Sequence, residues 1–159
     1  MAKKGKKSAE AKGPPVLTNR RARHDYHIER DLEAGLVLMG SEVKSLRAGK
    51  ANIAESYCNF VGGELFWIGA RIEPWPGAVH FGHEPDRSRK LLLHGRELDR
   101  LSRDVARKGC SIVPLKLFWS KGRAKLKIGV GTGKSHRDQR EDVKKRQADR
   151  DIARVMRRG

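Results

Sequence analysis

The groups through which this chain could do chemistry are six histidines, two cysteines and nineteen carboxylates, and their spacing argues against most of it. His24 and His27, and separately His80 and His83, stand in H-x-x-H spacing. A tetrahedral zinc site needs four converging ligands, usually supplied as two tight pairs. Residues 24–27 lead into a predicted strand, where positions i and i+3 point to opposite faces, so this pair is poorly placed to chelate. No metal is expected. The run Gly129-Val-Gly-Thr-Gly-Lys-Ser135 looks like a phosphate-binding loop, which requires Gly, four residues, then Gly-Lys-Ser/Thr. Counting back from Gly133, the first glycine of that pattern would fall on Ile128, and a flexible exit from the last strand is expected instead. No Ser/His/Asp or Cys/His arrangement can be singled out. Neither a catalytic residue nor a cofactor is expected, and Cys58 and Cys110, each in an apolar stretch, read as reduced, buried thiols.

What stands out is charge. The 159 residues carry 36 Lys and Arg against 19 Asp and Glu, a formal net charge of +17. Residues 1–23 hold eight bases and one acid, residues 24–114 thirteen of each, and residues 115–159 fifteen bases and five acids. A neutral middle between two cationic ends is the footprint of a protein that meets a polyanion. An anionic membrane is the other candidate, but no apolar run approaches a span and no lipidation motif is present. The first residues lack the apolar stretch of a signal peptide, so a cytoplasmic location is expected.

The elements that must position these charges are mostly strands. Residues 1–18 read as a disordered basic arm, and the aromatic residues, all between Tyr26 and Trp119, place the folded core at 19–131. Gly35–Gly40 is a short apolar run. Residues 56–61 and 64–72 flank Gly62-Gly63, and 112–119 and 124–130 flank Ser120–Arg123, so two hairpins are expected. The last strand alternates Ala124, Leu126, Ile128 and Val130 with Lys125 and Lys127, giving an apolar face and a basic one. Short helices are expected at 41–47, capped by Ser41, and at 96–108, with Leu98, Leu101 and Val105 on one side. The fold class is mainly β with short helices (α+β): a small closed OB-like antiparallel barrel.

Three basic clusters lie on the otherwise neutral core: Asn19-Arg20-Arg21-Ala22-Arg23, then Lys44, Arg47 and Lys50, then Arg87, Arg89 and Lys90 before Leu91-Leu92-Leu93. With the basic strand face they point to phosphate contacts, whose affinity falls steeply with salt. On this reading, neutralising Arg87, Arg89 and Lys90 flattens the salt dependence of binding. The segment 132–159 reads as a basic tail, disordered until bound. Ala148, Ile152 and Val155/Met156 form a narrow apolar stripe, and Glu141/Lys145 and Asp142/Arg146 are i, i+4 pairs, so the tail can order as a helix against a partner.

Several separated blocks also carry a resemblance. Asn19–Tyr26, Glu33-Ala-Gly35, Gly40–Asn52, Arg87–Leu93, Val113-Pro-Leu115 and Lys125–Gly129 together look like the SsrA-binding protein (SmpB) family, in the same order and from Asn19 to near the C-terminus. The resemblance implies an RNA-binding adaptor of trans-translation, with an oligonucleotide-binding barrel that does no chemistry. Its implied partners are the tRNA-like domain of transfer-messenger RNA and the decoding centre and messenger channel of stalled ribosomes. Elongation factor Tu with GTP and alanyl-tRNA synthetase are implied indirectly. By resemblance, Asn19, Glu33 and Leu92 match RNA-binding positions, and Gly133, Lys134, Asp138, Arg140, Val155 and Met156 match the ribosome-contacting tail. Ser135 and Gln139 stand where the family often has lysine. The runner-up reading, a general single-strand binder of OB type, needs exposed aromatic platforms. Tyr57, Phe60, Phe66, Trp67 and Trp119 are expected mainly in the core, which leaves Trp75 and Phe81. A nucleic-acid-processing enzyme is the third class.

Overall fold

Two tight turns set the architecture of the computed structural model, which describes residues 13–78, 82–107 and 109–158. Gly62 and Gly63, at φ of 60° and 81°, join β4 (Tyr57–Val61) to β5 (Glu64–Ile68). Lys121 and Gly122, at 50° and 75°, join β8 (Cys110–Ser120) to β9 (Arg123–Gly133). Positive φ at both central residues is the turn geometry whose twist matches an antiparallel hairpin. The sequence places both hairpins correctly, and the structure lengthens the second.

The remaining elements arrange themselves around β9. In chain order they are β1 (Leu17–Thr18), α1 (Arg20–Asp25), β2 (Tyr26–Leu36), α2 (Gly40–Arg47), β3 (Ala51–Asn52), β6 (Arg71–Ile72), β7 (Arg89–Leu92), α3 (Gly95–Ala106) and α4 (His136–Arg158). β9 is antiparallel to β2 on one side and to β8 on the other: Ile128 faces both Leu32 and Pro114, and Leu126 both Ala34 and Leu117. The strands follow one another as β8-β4-β5-β7-β2-β9, and the β8–β9 pairing returns the sheet to its start. Closure between β4 and β8 rests on the pair Cys58 and Ile112 alone, so this is a ring of strands and not strictly a barrel. Trp67, Leu91, Ile112, Leu117, Leu126 and Ile128 fill it, and α3 covers one side with Leu101. Burial pushes the Cys58 thiol up, keeping it inert.

The glycines of the last strand have a packing role. A Cβ at Gly131 would collide with the His27 carbonyl, and one at Gly129 would meet Ile28 and Leu115 at 3.0 Å. The expected flexible exit is therefore ladder: β9 runs to Gly133, paired with Tyr26. Other boundaries move too. Leu17–Thr18, assigned to the disordered arm, pairs with Leu117 and Lys116, while residues 1–12 of that arm lie outside the described residues. The apolar run at 35–40 is the end of β2 and the approach to α2. The strand expected over 64–72 breaks at Gly69, which has φ of 82°. The segment 132–159, expected as a basic tail that orders as a helix against a partner, is helical over His136–Arg158.

Beneath α2 lies a buried polar layer. Ser41 is not the cap: the Met39 N–H is capped by Glu42 Oε1 at 3.0 Å, and Ser41 turns inward to His83 Nδ1 at 2.7 Å. The other His83 nitrogen bonds the Ile72 carbonyl at 2.9 Å, which makes Nε2 the donor and leaves Nδ1 to accept from the Ser41 hydroxyl. Glu42, fully buried, takes Arg89 Nε at 2.5 Å and Arg87 as a second partner. Arg89 also donates to the carbonyls of Ala70 at 2.7 Å and Pro85 at 3.0 Å. Burial alone would raise the Glu42 carboxyl, but the bonds from Met39, Arg87 and Arg89 outweigh it and hold it below its ordinary value. Removing one partner of such a pair strands the other charge. Glu42→Ala should therefore destabilise the fold by about 3–5 kcal/mol in urea unfolding. Glu64→Ala, which breaks the exposed 2.9 Å pair with Lys90, should cost at most about 1 kcal/mol. Equal losses would show that the buried pair does not organise this region.

Candidate nucleic-acid interface

The outer face of β9 organises the exposed charge. Because Ala124, Leu126, Ile128 and Val130 point into the ring, Lys125 and Lys127 point out. Register brings three strands together there: Glu33 stands opposite Lys127, and Gly35 opposite both Lys125 and Leu92. A Cβ at Gly35 would press on the Leu92 side chain at 3.2 Å, so the strand passes close beneath it. Leu92 itself is 51% exposed, a large apolar group held at the surface. Glu33, Leu92, Lys125 and Lys127 line one open groove, together with His94 and Glu97. Lys125 and Lys127 are expected there from the basic strand face, Glu33 and Leu92 from the family resemblance, and the four come from three distant segments.

Two further grooves join this one. Leu92 and Lys125 continue into a groove floored by Trp119, with Gly122 and Arg123 at its rim. Arg47 lies over the Trp119 ring at 5.2 Å, a cation–π contact, and its Nη2 donates to the Gly122 carbonyl at 3.5 Å. On the other side Lys127 also belongs to a groove with Arg20, Arg23, Lys116 and Arg146. The result is a band of three grooves linked through Leu92, Lys125 and Lys127, in which Asp31, Glu33 and Glu97 stand among the basic residues and Asp31 pairs with Lys127 at 3.6 Å, a mixed surface suited to recognising a folded RNA by shape and backbone. Lys44 and Lys50 are exposed on and just beyond α2, outside these grooves.

The third basic cluster is corrected by its burial. Arg89 is 0% exposed and locked onto Glu42 and three backbone carbonyls, so it cannot reach RNA. Burial lowers the Arg89 guanidinium from its ordinary value, which is so high that it stays charged. Arg87 is half-buried on the same carboxylate, and Lys90 is drawn to Glu64. Neutralising Arg89 would unfold this region, not flatten a salt dependence. Asn19, matched to an RNA-binding position by resemblance, is 5% exposed: its amide donates to the Pro114 carbonyl at 2.9 Å, its backbone N–H bonds the Leu115 carbonyl, and it lines the third groove beside Arg20 and Arg23. It anchors α1, which carries Arg20 and Arg23, beneath the third groove. Sequence reasoning missed Trp119, His94, Glu97, Lys116 and Arg146. Trp119 was read as core and is half-buried. Lys116 could have been found, since it shares a β8 face with Phe118, over whose ring it lies at 5.4 Å.

The tail begins as part of this assembly. Gly133 ends β9, and the Lys134 backbone N–H bonds the Asp25 carbonyl at 2.7 Å. The Lys134 side chain is 6% exposed, donating to the Arg23 carbonyl at 2.9 Å and to Asp142. Asp138 accepts the Ser135 N–H at 3.3 Å, while its own N–H bonds the Ser135 hydroxyl at 3.2 Å. That reciprocal cap starts α4, and His27 reaches the same carboxylate at 3.5 Å. Arg140 is exposed beside His24 and Val143. Further along, Ile152, Val155 and Met156 stand free in solvent, Met156 being 78% exposed.

Among the described residues no three His, Cys, Asp or Glu side chains converge as a metal site, and His80 and Phe81 lie outside those residues. No described helix is long and apolar enough to cross a membrane.

Comparison with known proteins adds a second line of evidence. The family model described as SmpB protein matches residues 16–158. A protein of Hyphomonas neptunium named SsrA-binding protein is 54% identical over 158 residues, covering 97% of this chain and 98% of its own. One of Caulobacter vibrioides with the same name is 52% identical, covering 89% of this chain and 94% of its own. A solved structure described as "tmRNA-SmpB: a journey to the center of the bacterial ribosome" is similar with a TM-score of 0.64 and 47% identity, over 77% of this chain and 86% of that one.

The docking of α4 should respond to acid. Lys134 holds the Asp142 carboxyl below its ordinary value of 3.8, and Ser135, then His27, do the same for Asp138. Depressed carboxylates stabilise the docked state fully above 3.8 and lose that contribution as pH falls through their lowered values. Amide exchange of residues 136–146, after correction for intrinsic rates, should therefore accelerate in strong acid relative to neutral pH. Asp142→Asn should show the fast exchange already at neutral pH. Unchanged protection in that variant would remove Lys134–Asp142 as the latch.

Proposed function

This chain belongs to the SmpB protein family, and on that premise we propose that it is the RNA-binding adaptor of trans-translation. It binds transfer-messenger RNA and works with it on the ribosome, allowing ribosome rescue. Its role is binding and not catalysis. The observation that carries this reading is the band along β9, where Lys125 and Lys127 join grooves that also contain Glu33, Leu92, Trp119, Arg20 and Arg23. Three acids, Asp31, Glu33 and Glu97, beside an apolar knob and two lysines are poor design for undirected polyanion binding. It suits a specific RNA surface, where a carboxylate accepts from base amino groups or a 2′-hydroxyl while the lysines take flanking phosphates.

The finer assignments belong to the same proposal. The band receives the tRNA-like domain, and α4 carries the exposed Ile152, Val155 and Met156 toward the decoding centre and messenger channel. Elongation factor Tu with GTP and alanyl-tRNA synthetase meet the complex through the RNA, in the cytoplasm. What supports the division of labour is geometry: Lys134 and Arg146 belong to the body, whereas the segment beyond Arg146 is exposed and tied to it by no ion pair among the described residues.

Purifying the tagged protein from its own cells and sequencing the bound RNA tests the reading. One dominant structured species with a tRNA-like end is expected. A broad mixture surviving a high-salt wash would favour the single-strand binder, for which exposed Tyr57 would be a stacking platform. A chain ending at Arg146 should keep affinity for that RNA within about threefold, since the phosphate contacts that set affinity remain. It should nevertheless abolish peptide tagging on stalled ribosomes. A large loss of affinity, or normal tagging, would contradict the division.

A further inference from the structure

Helix α3 carries a basic surface that none of the foregoing uses. Its apolar residues Leu98, Leu101 and Val105 face the ring. At 3.6 residues per turn, Arg96, Arg100 and Arg103 fall within about 60° of one another, on the side opposite. All three are exposed, and among the described residues none forms an ion pair. The helix's acids are largely engaged elsewhere: Glu97 caps the His94 N–H at 3.1 Å, and Asp104 is taken by Arg30 and by Arg107 at 3.2 Å. Asp99 is the one acid left on that flank. Guanidiniums held in a row on a rigid helix, with no ion pair among the described residues, fit a partner that supplies repeated phosphates.

Position says which partner. Glu97 and His94, at the start of α3, line the same groove as Glu33, Leu92, Lys125 and Lys127. The arginine row therefore starts at the edge of the β9 band and extends it by about two helical turns. We propose that α3 is a second contact surface for the structured RNA that occupies that band, with Arg96, Arg100 and Arg103 binding its phosphodiester backbone. This rests on the functional reading above and adds a surface to it.

The test uses the full-length protein and a transcript of the tRNA-like domain of transfer-messenger RNA, titrated over a range of KCl concentrations. R96Q/R100Q/R103Q should lower affinity about tenfold or more near physiological salt and reduce the log–log salt slope by about two to three, one contact per arginine. R96K/R100K/R103K should retain most of that slope, and both variants should melt like the wild type, since the side chains are exposed. Unchanged affinity and slope in the glutamine variant would overturn the proposal. So would unchanged affinity for the transcript with weakened ribosome association, which would assign the row to ribosomal RNA. A wild-type protein with no preference for this transcript over an unrelated structured RNA would overturn the adaptor reading itself, and this proposal with it.

Discussion

One strand has to satisfy two neighbours along most of its length. β9, the 11 residues Arg123–Gly133, is hydrogen-bonded to β2 on one edge and β8 on the other, with Ile128 and Leu126 paired on both sides, because its backbone can come close enough at Gly129 and Gly131. This double pairing closes the ring. It also fixes which way the alternating side chains point, so that four apolar residues fill the core while Lys125 and Lys127 are forced outward. Because β9 ends against α1, it delivers Lys134 to the Arg23 carbonyl and launches α4 from a defined place. The site and the tail are thus consequences of how the ring closes.

The charge balance acquires a structural meaning in the same frame. The neutral middle of the chain is not uniformly a solvated surface of matched pairs. Part of its balance is internal, with Glu42 absorbing both Arg87 and Arg89 beneath α2 and fastening the 84–85 backbone and β7 to the helix. β7 is the strand that presents Leu92, and α2 is the helix that presents Arg47 to Trp119. Buried electrostatics therefore position the two elements that frame the middle groove, while exposed electrostatics supply the contacts. The salt sensitivity of binding should come from the second set only.

Much of this was legible from residue patterns. Gly62-Gly63, the alternation from Ala124 to Val130 and the apolar face of α3 each specify local geometry through short-range sterics, and they fold as read. Glu33 entered only through family resemblance, since an acid has no place in a charge-based search for an RNA site. What patterns could not show depends on contacts between distant residues. Arg89 looks like its neighbours until its partner, 47 residues away, is seen. Ser41 reads as a cap until His83 takes its hydroxyl, and Gly129 to Gly133 read as a loop until the strands that crowd them are in place. The tail's order depends likewise on Lys134, whose burial no local count predicts.

The central claim is that the outer face of β9 is the RNA-binding surface, and lysine footprinting tests it most directly. The full-length protein would be labelled with an amine-reactive reagent, alone and saturated with transfer-messenger RNA, and modification quantified at each lysine by mass spectrometry. Lys116, Lys125 and Lys127 should lose reactivity in the complex, while the exposed Lys145 of the tail keeps its own. Full reactivity of Lys125 and Lys127 in a saturated complex would contradict the account and move the interface to another face of the ring.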